Sequence, residues 1–142
     1  MLRGNHPAKV DEKGRVKIPA TFLETLLEYG SKFYVTSESG DFVRVYPMKV
    51  WNEIEEKLAR LPSYHRPKQK FLTQTNYYGQ VIELDGQGRI LVPPILRAAA
   101  HMRGEVFVMG HLNHLQIWNN ARFAEMMKAS PITTEDLNEL GI

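Results

Sequence analysis

The sequence predicts an α+β protein made of two copies of a β-β-α-β-β-α unit, interleaved about a pseudo-twofold axis into one small barrel. Three observations predict it. A nonapeptide recurs, as D-E-K-G-R-V-K-I-P at residues 11–19 and D-G-Q-G-R-I-L-V-P at residues 85–93. The match extends beyond it: Gly30 meets Gly104 and Phe33 meets Phe107, and after two extra residues around S-E-S-G-D (37–41), Tyr46 meets Trp118 and Trp51 meets Phe123. Within each copy the apolar period changes from two to 3.6 and back, so strands and helices alternate in the same order twice. Strands of three to five residues are too short to make a stable sheet within one copy, which is why the copies are expected to exchange hairpins.

The elements follow in order. A short strand ends at Lys9–Val10 in the first copy and at Glu83–Leu84 in the second. A turn comes next, in which Gly14 or Gly88 supplies the positive φ that a tight turn needs. In the following strand Val16 and Ile18 share one face, and Arg15 and Lys17 share the other. Pro19 and Pro93 then stand at a helix start, where a missing N–H costs nothing. A-T-F-L-E-T-L-L-E-Y (20–29) places Phe22, Leu23, Leu26 and Leu27 on one face and stops at Gly30, and P-I-L-R-A-A-A-H-M-R before Gly104 is its counterpart. Strands F-Y-V-T (33–36) and F-V-R-V-Y (42–46) match V-F-V-M (106–109) and L-Q-I-W (115–118). A helix closes each copy, the first with Trp51, Ile54, Leu58 and Leu61 at helical spacing, of which Trp51, Ile54 and Leu58 read as core or a packing face. The first unit thus covers 1–61 and the second 71–128. P-S-Y-H-R-P-K-Q-K (62–70) reads as a basic linker broken by two prolines, and 129–142 as a tail with a short acidic helix.

Composition narrows the function classes. There are no cysteines, which excludes disulfides, thiolate catalysis and cysteine-based zinc sites. No apolar run approaches the roughly 20 residues that span a bilayer. The N-terminus lacks the apolar core of a signal peptide, so a soluble intracellular protein without a membrane partner is expected. Net charge is only +2, but residues 1–70 carry 13 Lys and Arg against 9 Asp and Glu. Residues 71–142 carry 5 against 7. Much of the excess sits at the start, in Arg3, Lys9, Lys13, Arg15 and Lys17, which suggests a polyanionic partner. No nucleophile elbow, phosphate-binding glycine loop or separated His/carboxylate set is present, and this excludes the common enzyme classes.

The repeat separates fold from function. Asp11, Gly14, Arg15 and Pro19 recur as Asp85, Gly88, Arg89 and Pro93 and read as structural, with Arg15 serving function as well, whereas Lys13 and Lys17, which become Gln87 and Leu91, read as functional. Arg15 can give two parallel hydrogen bonds to guanine or to a phosphate, and Lys13 and Lys17 are point charges suited to phosphate. A two-stranded ribbon is narrow enough to enter a major groove. Asp11 is either a turn former or the partner that fixes Arg15. Arg3 joins the candidates because it is close in sequence to the basic hairpin, and Arg66, Lys68 and Lys70 because they are basic. His111 and His114 are three apart, but no third metal ligand accompanies them, so no metal is expected.

The first nonapeptide resembles the signature of the AbrB-like, swapped-hairpin DNA-binding domains. Two such units in a chain that opens M-L-R-G resemble the MraZ family of bacterial transcriptional regulators. Y-P-M-K-V-W-N-E-I-E-E-K-L (46–58) and V-F-V-M-G-H-L-N-H-L-Q-I-W (106–118) carry the resemblance over nearly the whole chain. The resemblance implies a barrel whose two halves come from one chain, assembled into closed homo-oligomeric rings. It implies binding to short direct repeats of double-stranded promoter DNA at a division and cell-wall gene cluster, usually as a repressor, on the nucleoid in the cytoplasm and without a cofactor. Carried over by residue, the DNA-reading positions are Lys13, Arg15 and, at the edge of the motif, Lys17. Two rivals are an antitoxin-like AbrB protein, which would also bind a toxin, and a protein-interaction scaffold whose basic loop is merely solvated.

Overall fold

A computed structural model describes all of residues 1–142. Strands β1 (Asn5–Val10) and β2 (Arg15–Lys17), helix α1 (Ala20–Leu27), strands β3 (Lys32–Thr36) and β4 (Val43–Pro47) and helix α2 (Met48–Ala59) form the first copy. Helix α3 (Arg66–Tyr78) follows. Strands β5 (Gln80–Glu83) and β6 (Arg89–Leu91), helix α4 (Pro94–Ala99), strands β7 (Gly104–Gly110) and β8 (Leu115–Asn119) and helix α5 (Asn120–Ala129) repeat the order, and α6 (Thr134–Leu140) ends the chain. The duplicated α+β architecture predicted from the sequence is the one observed.

The eight strands form one antiparallel sheet in the order β5-β3-β4-β8-β7-β1-β2-β6. Read around the barrel as a ring in which β6 is followed by β5, exchanging each strand for its repeat partner gives the same cyclic order in reverse, so the barrel is pseudo-twofold symmetric. Its two end strands, β5 and β6, are joined by their own turn, and the Asp85 amide donates to the Arg89 carbonyl at 3.0 Å, so the barrel is almost closed. The exchange of hairpins is complete. β1 of the first copy pairs along its whole length with β7 of the second, and β5 of the second pairs with β3 of the first. Near closure leaves few free strand edges, which is how so short a set of strands is stable.

The barrel interior takes the inward side chains of both copies: Val16, Ile18, Phe33, Val35, Ile90, Val92, Val106, Val108 and Ile117 are all buried. Phe22 and Leu26 of α1 and Leu96 of α4 plug its ends. Leu27, placed on the same face by sequence, is half exposed, because a helix of only two turns presents too narrow a face to bury it.

Two details differ from the sequence reading. Residues 66–70, read as linker, are the first turns of α3, with Pro67 in its first turn and the His65 ring accepting from the Lys68 amide at 3.3 Å. A proline there supports a helix start instead of breaking one. The helix lies over β3: the buried Thr75 carbonyl accepts from Tyr34 Oη at 3.1 Å and from Thr36 Oγ1 at 2.6 Å. Phe71 adds to a small aromatic cluster in which Tyr34 stacks on Trp51 at 4.6 Å. The second detail is register. Tyr34 pairs with Tyr46 and Phe107 pairs with Trp118, so Phe107 is the counterpart of Tyr34, not of Phe33. A strand has period two, so a one-residue slip moves an aromatic from the inner to the outer face.

Candidate nucleic-acid interface

Both copies of the nonapeptide build the same hairpin. In the first, Asp11 Oδ1 accepts from the Lys13 and Arg15 amides, each at 2.9 Å, and Oδ2 accepts from Arg15 Nε at 2.7 Å. In the second, Asp85 makes the equivalent bonds to the Gln87 and Arg89 amides, each at 2.9 Å, and to Arg89 Nε at 2.7 Å. Asp11 is therefore turn former and arginine partner at once. The Arg15 amide above all, then its guanidinium and the Lys13 amide, hold the Asp11 carboxyl below the usual carboxylate range although desolvation opposes them, and the Arg89 and Gln87 groups do the same for Asp85. Gly14 and Gly88 have φ of 85° and 73°, which a residue with a Cβ rarely adopts.

The two hairpins lie side by side. β2 pairs with β6, Arg15 opposite Leu91, Val16 opposite Ile90 and Lys17 opposite Arg89. Reciprocal bonds extend the seam: the Ile18 amide donates to the Gly88 carbonyl and the Val92 amide to the Gly14 carbonyl, both at 3.0 Å. Val16 and Ile90 point inward, so Arg15, Lys17, Arg89 and Leu91 point out together. Arg89 Nη1 also comes within 3.8 Å of Asp11 Oδ2, so one aspartate faces both arginines. The Arg15 Nε is taken by Asp11, and its two Nη groups have no protein partner.

The structure places Arg15 and Lys17 on the outer face of β2, as the alternation predicts, with Lys13 in the adjoining turn. It does not bring Arg3 there. Arg3 precedes β1, and six strand residues at about 3.3 Å each set it roughly 20 Å from the turn. Arg66, Lys68 and Lys70 lie on α3, and Lys68 Nζ donates to the Leu61 carbonyl at 3.0 Å.

One residue escaped the sequence reading. Arg97 of α4 reaches the first turn, where its Nη2 donates to the Glu12 carbonyl at 2.9 Å. A Cβ on Gly14 would stand 2.9 Å from Arg97 Cδ and 3.1 Å from its Nε and Nη1, so the side chain lies directly against that glycine. The equivalent position over the second turn belongs to Leu23, which a Cβ on Gly88 would meet at 3.2 Å. The signal was present in the repeat, because Arg97 stands opposite Leu23 at the offset that aligns the nonapeptides.

His111 and His114 occupy the β7–β8 turn, where the His111 amide donates to the His114 carbonyl at 2.9 Å. The His114 ring is buried, stacks on Tyr46 at 4.4 Å, and has Arg44 Nη1 at 2.8 Å from Nε2 and Asn113 Oδ1 at 2.9 Å from Nδ1. Arg44 is itself held bidentately by Glu38 at 2.8 Å. Burial pushes the His114 pKa down to about 4; the charges of Arg44 and His111 add to the shift and Glu38 opposes it. No helix is long and apolar enough to cross a membrane.

The family described as "MraZ protein, putative antitoxin-like" matches residues 1–74 and 79–138. A protein of Acidobacterium capsulatum named transcriptional regulator MraZ is 46% identical over the whole of both chains. One of the same name from Koribacter versatilis is 47% identical, also over the whole of both. Another, from Nitrosospira multiformis, is 36% identical over 92% of this chain and 89% of its own. Matched along nearly its full length, the chain belongs to the MraZ family, whose named relatives here are transcriptional regulators.

Proposed function

We propose that this chain is a sequence-specific DNA-binding regulator, a repressor acting on direct repeats in the promoter of a division and cell-wall gene cluster. It acts on the nucleoid as a closed homo-oligomeric ring. The observation that carries the reading is Arg15: its Nε is fixed by Asp11 at 2.7 Å while neither Nη group has a protein partner, on the outer face of the hairpin. A fixed fork of that kind matches the O6 and N7 acceptors of guanine in a major groove. Lys13 and Lys17 flank it with the phosphate-seeking charge that positions such a ribbon. One hairpin makes few contacts, so several identical hairpins set on repeats one helical turn apart would gain by effective concentration. The second hairpin has the same arginine geometry but Gln87 and Leu91 in place of the lysines, which favours a structural role for it.

The test is a gel shift across a salt series, with the duplex upstream of the chain's own gene and a scrambled duplex as competitor. Wild type should prefer the promoter, and affinity should fall steeply with salt. Lys13→Ala should weaken binding on both duplexes and lower the salt slope by about 0.9. Arg89→Ala should lower the melting temperature yet leave promoter affinity within about threefold of wild type, because base readout rests on the other hairpin. An Arg89→Ala protein that folds normally and loses the promoter as fully as Arg15→Ala would overturn the asymmetric assignment of the two hairpins. No preference for the promoter at any salt would leave the scaffold reading, and a toxin bound by the chain would favour the antitoxin-like one.

A further inference from the structure

We propose that Arg97 is the positioning residue of the basic hairpin: lent by the second half of the chain, it holds the tip of the first half's turn in the conformation that presents Lys13 and Arg15. The inference rests on the DNA-binding reading above for its purpose, but its geometry stands independently.

Three observations carry it. The first is the contact itself. A guanidinium N–H donates to the Glu12 carbonyl at 2.9 Å, at the apex of the turn. Hydrogen bonds from a charged donor are stronger than neutral ones. The second is the fit to Gly14. Cδ, Nε and Nη1 of Arg97 all lie within 3.1 Å of where a Cβ would be, so the planar group rests on the glycine as on a seat. Gly14 thus serves twice, once through its φ of 85° and once through the space it leaves. The third is the internal control. The second turn has the same backbone and the same aspartate bonds, yet its covering residue is Leu23, which can donate to no carbonyl. The arginine clasp therefore accompanies the lysine-bearing hairpin and is missing from the other.

The chemistry explains why such a clasp is useful. Asp11 fixes the base of the turn through the Lys13 and Arg15 amides, both at 2.9 Å. The apex at Glu12 and Lys13 is exposed; besides the Lys13 amide bond to Asp11, the Gly14 amide donates to the Asp11 carbonyl at 3.0 Å, and the Glu12 carbonyl is held by Arg97. An apex free to move would have to be ordered when it entered a groove, and that ordering would be subtracted from affinity. Arg97 supplies the order beforehand. Its charge stands beside Lys13 and Arg15, but its N–H groups face the turn, so it acts through the hairpin and not on the phosphates.

The test uses the full chain. Arg97→Leu copies the arrangement at the second turn, Arg97→Lys keeps a cationic donor, and amide hydrogen exchange reads both turns in one sample. In Arg97→Leu the Lys13 and Gly14 amides should exchange several-fold faster, while the equivalent Gln87 and Gly88 amides and the melting temperature stay near wild type. Promoter affinity should fall about tenfold with the salt slope unchanged, since a lost phosphate contact would lower that slope by about 0.9. Arg97→Lys should recover part of both effects. Unchanged exchange at Lys13 and Gly14 would overturn the proposal, and so would equal acceleration at both turns. A salt slope lowered by about one unit would also overturn it, by making Arg97 a phosphate contact. Should wild type itself fail to prefer the promoter, the DNA-binding reading fails, and the exchange data still decide whether Arg97 holds the turn.

Discussion

Arg15→Ala is expected to abolish specific promoter binding while leaving the barrel folded. The side chain is 29% exposed and no core residue depends on it, so the substitution removes a surface group held by Asp11 and little else. A good arginine–guanine pair discriminates by about 1–3 kcal/mol, roughly ten- to hundredfold at one site. Where several hairpins engage one promoter the losses multiply, and the residual affinity should match that for a scrambled duplex. Arg15→Lys should recover little of the specificity, because an ammonium restores charge but not the planar fork. Promoter preference retained by Arg15→Ala would move the reading head off this hairpin altogether.

The second large effect concerns stability. His114 is neutral when folded, with a pKa of about 4, against an ordinary value of 6.5. Above pH 6.5 it is neutral in both states and contributes no pH dependence. As pH falls below 6.5 the unfolded chain takes up a proton that the folded chain refuses, so stability is lost progressively down to about pH 4. At about 1.4 kcal/mol per unit, the loss between pH 6.5 and about 5 is on the order of 2 kcal/mol. The cause is visible: the ring is buried, stacked on Tyr46 and faced by Arg44, and only the Glu38 carboxylate behind Arg44 favours its charged form. Denaturant titrations of wild type and His114→Gln at a series of pH values should diverge over that window, with the glutamine variant flatter. Parallel curves would show that His114 does not set the acid sensitivity.

Much of the fold was legible because it is written twice. Alternation at Arg15–Ile18 put Val16 inside and Arg15 outside, and the repeat of Asp, Gly, Arg and Pro identified the turn. The misreadings have specific physical causes. The prolines of residues 62–70 look like helix breakers, but Pro67 sits where a helix has no use for its N–H, and the Thr75 carbonyl that anchors α3 to Tyr34 and Thr36 has no local signature. Arg3 is eight residues from Asp11 in sequence, and an extended strand turns that nearness into distance. Arg97 lies 83 residues beyond Gly14, and only the exchange of hairpins brings them together. The repeat contained the clue in the Leu23/Arg97 mismatch, but only the contact gave it meaning.

The exchange of hairpins also determines when the protein can become a protein. β1 meets β2 of its own copy only at Val10 and Val16; along its whole length it is paired by β7, which begins at Gly104, and the other edge of β2 is paired by β6, which begins at Arg89. On the ribosome the first strand therefore emerges roughly 100 residues ahead of the strand that completes it, which at about 5–20 residues per second is a wait of roughly 5–20 s. Until then Val16 lacks its partner Ile90, and Phe33 and Val35 lack theirs, Ile82 and Gln80. A barrel whose first half is paired by strands of its second half is thus completed only late in synthesis.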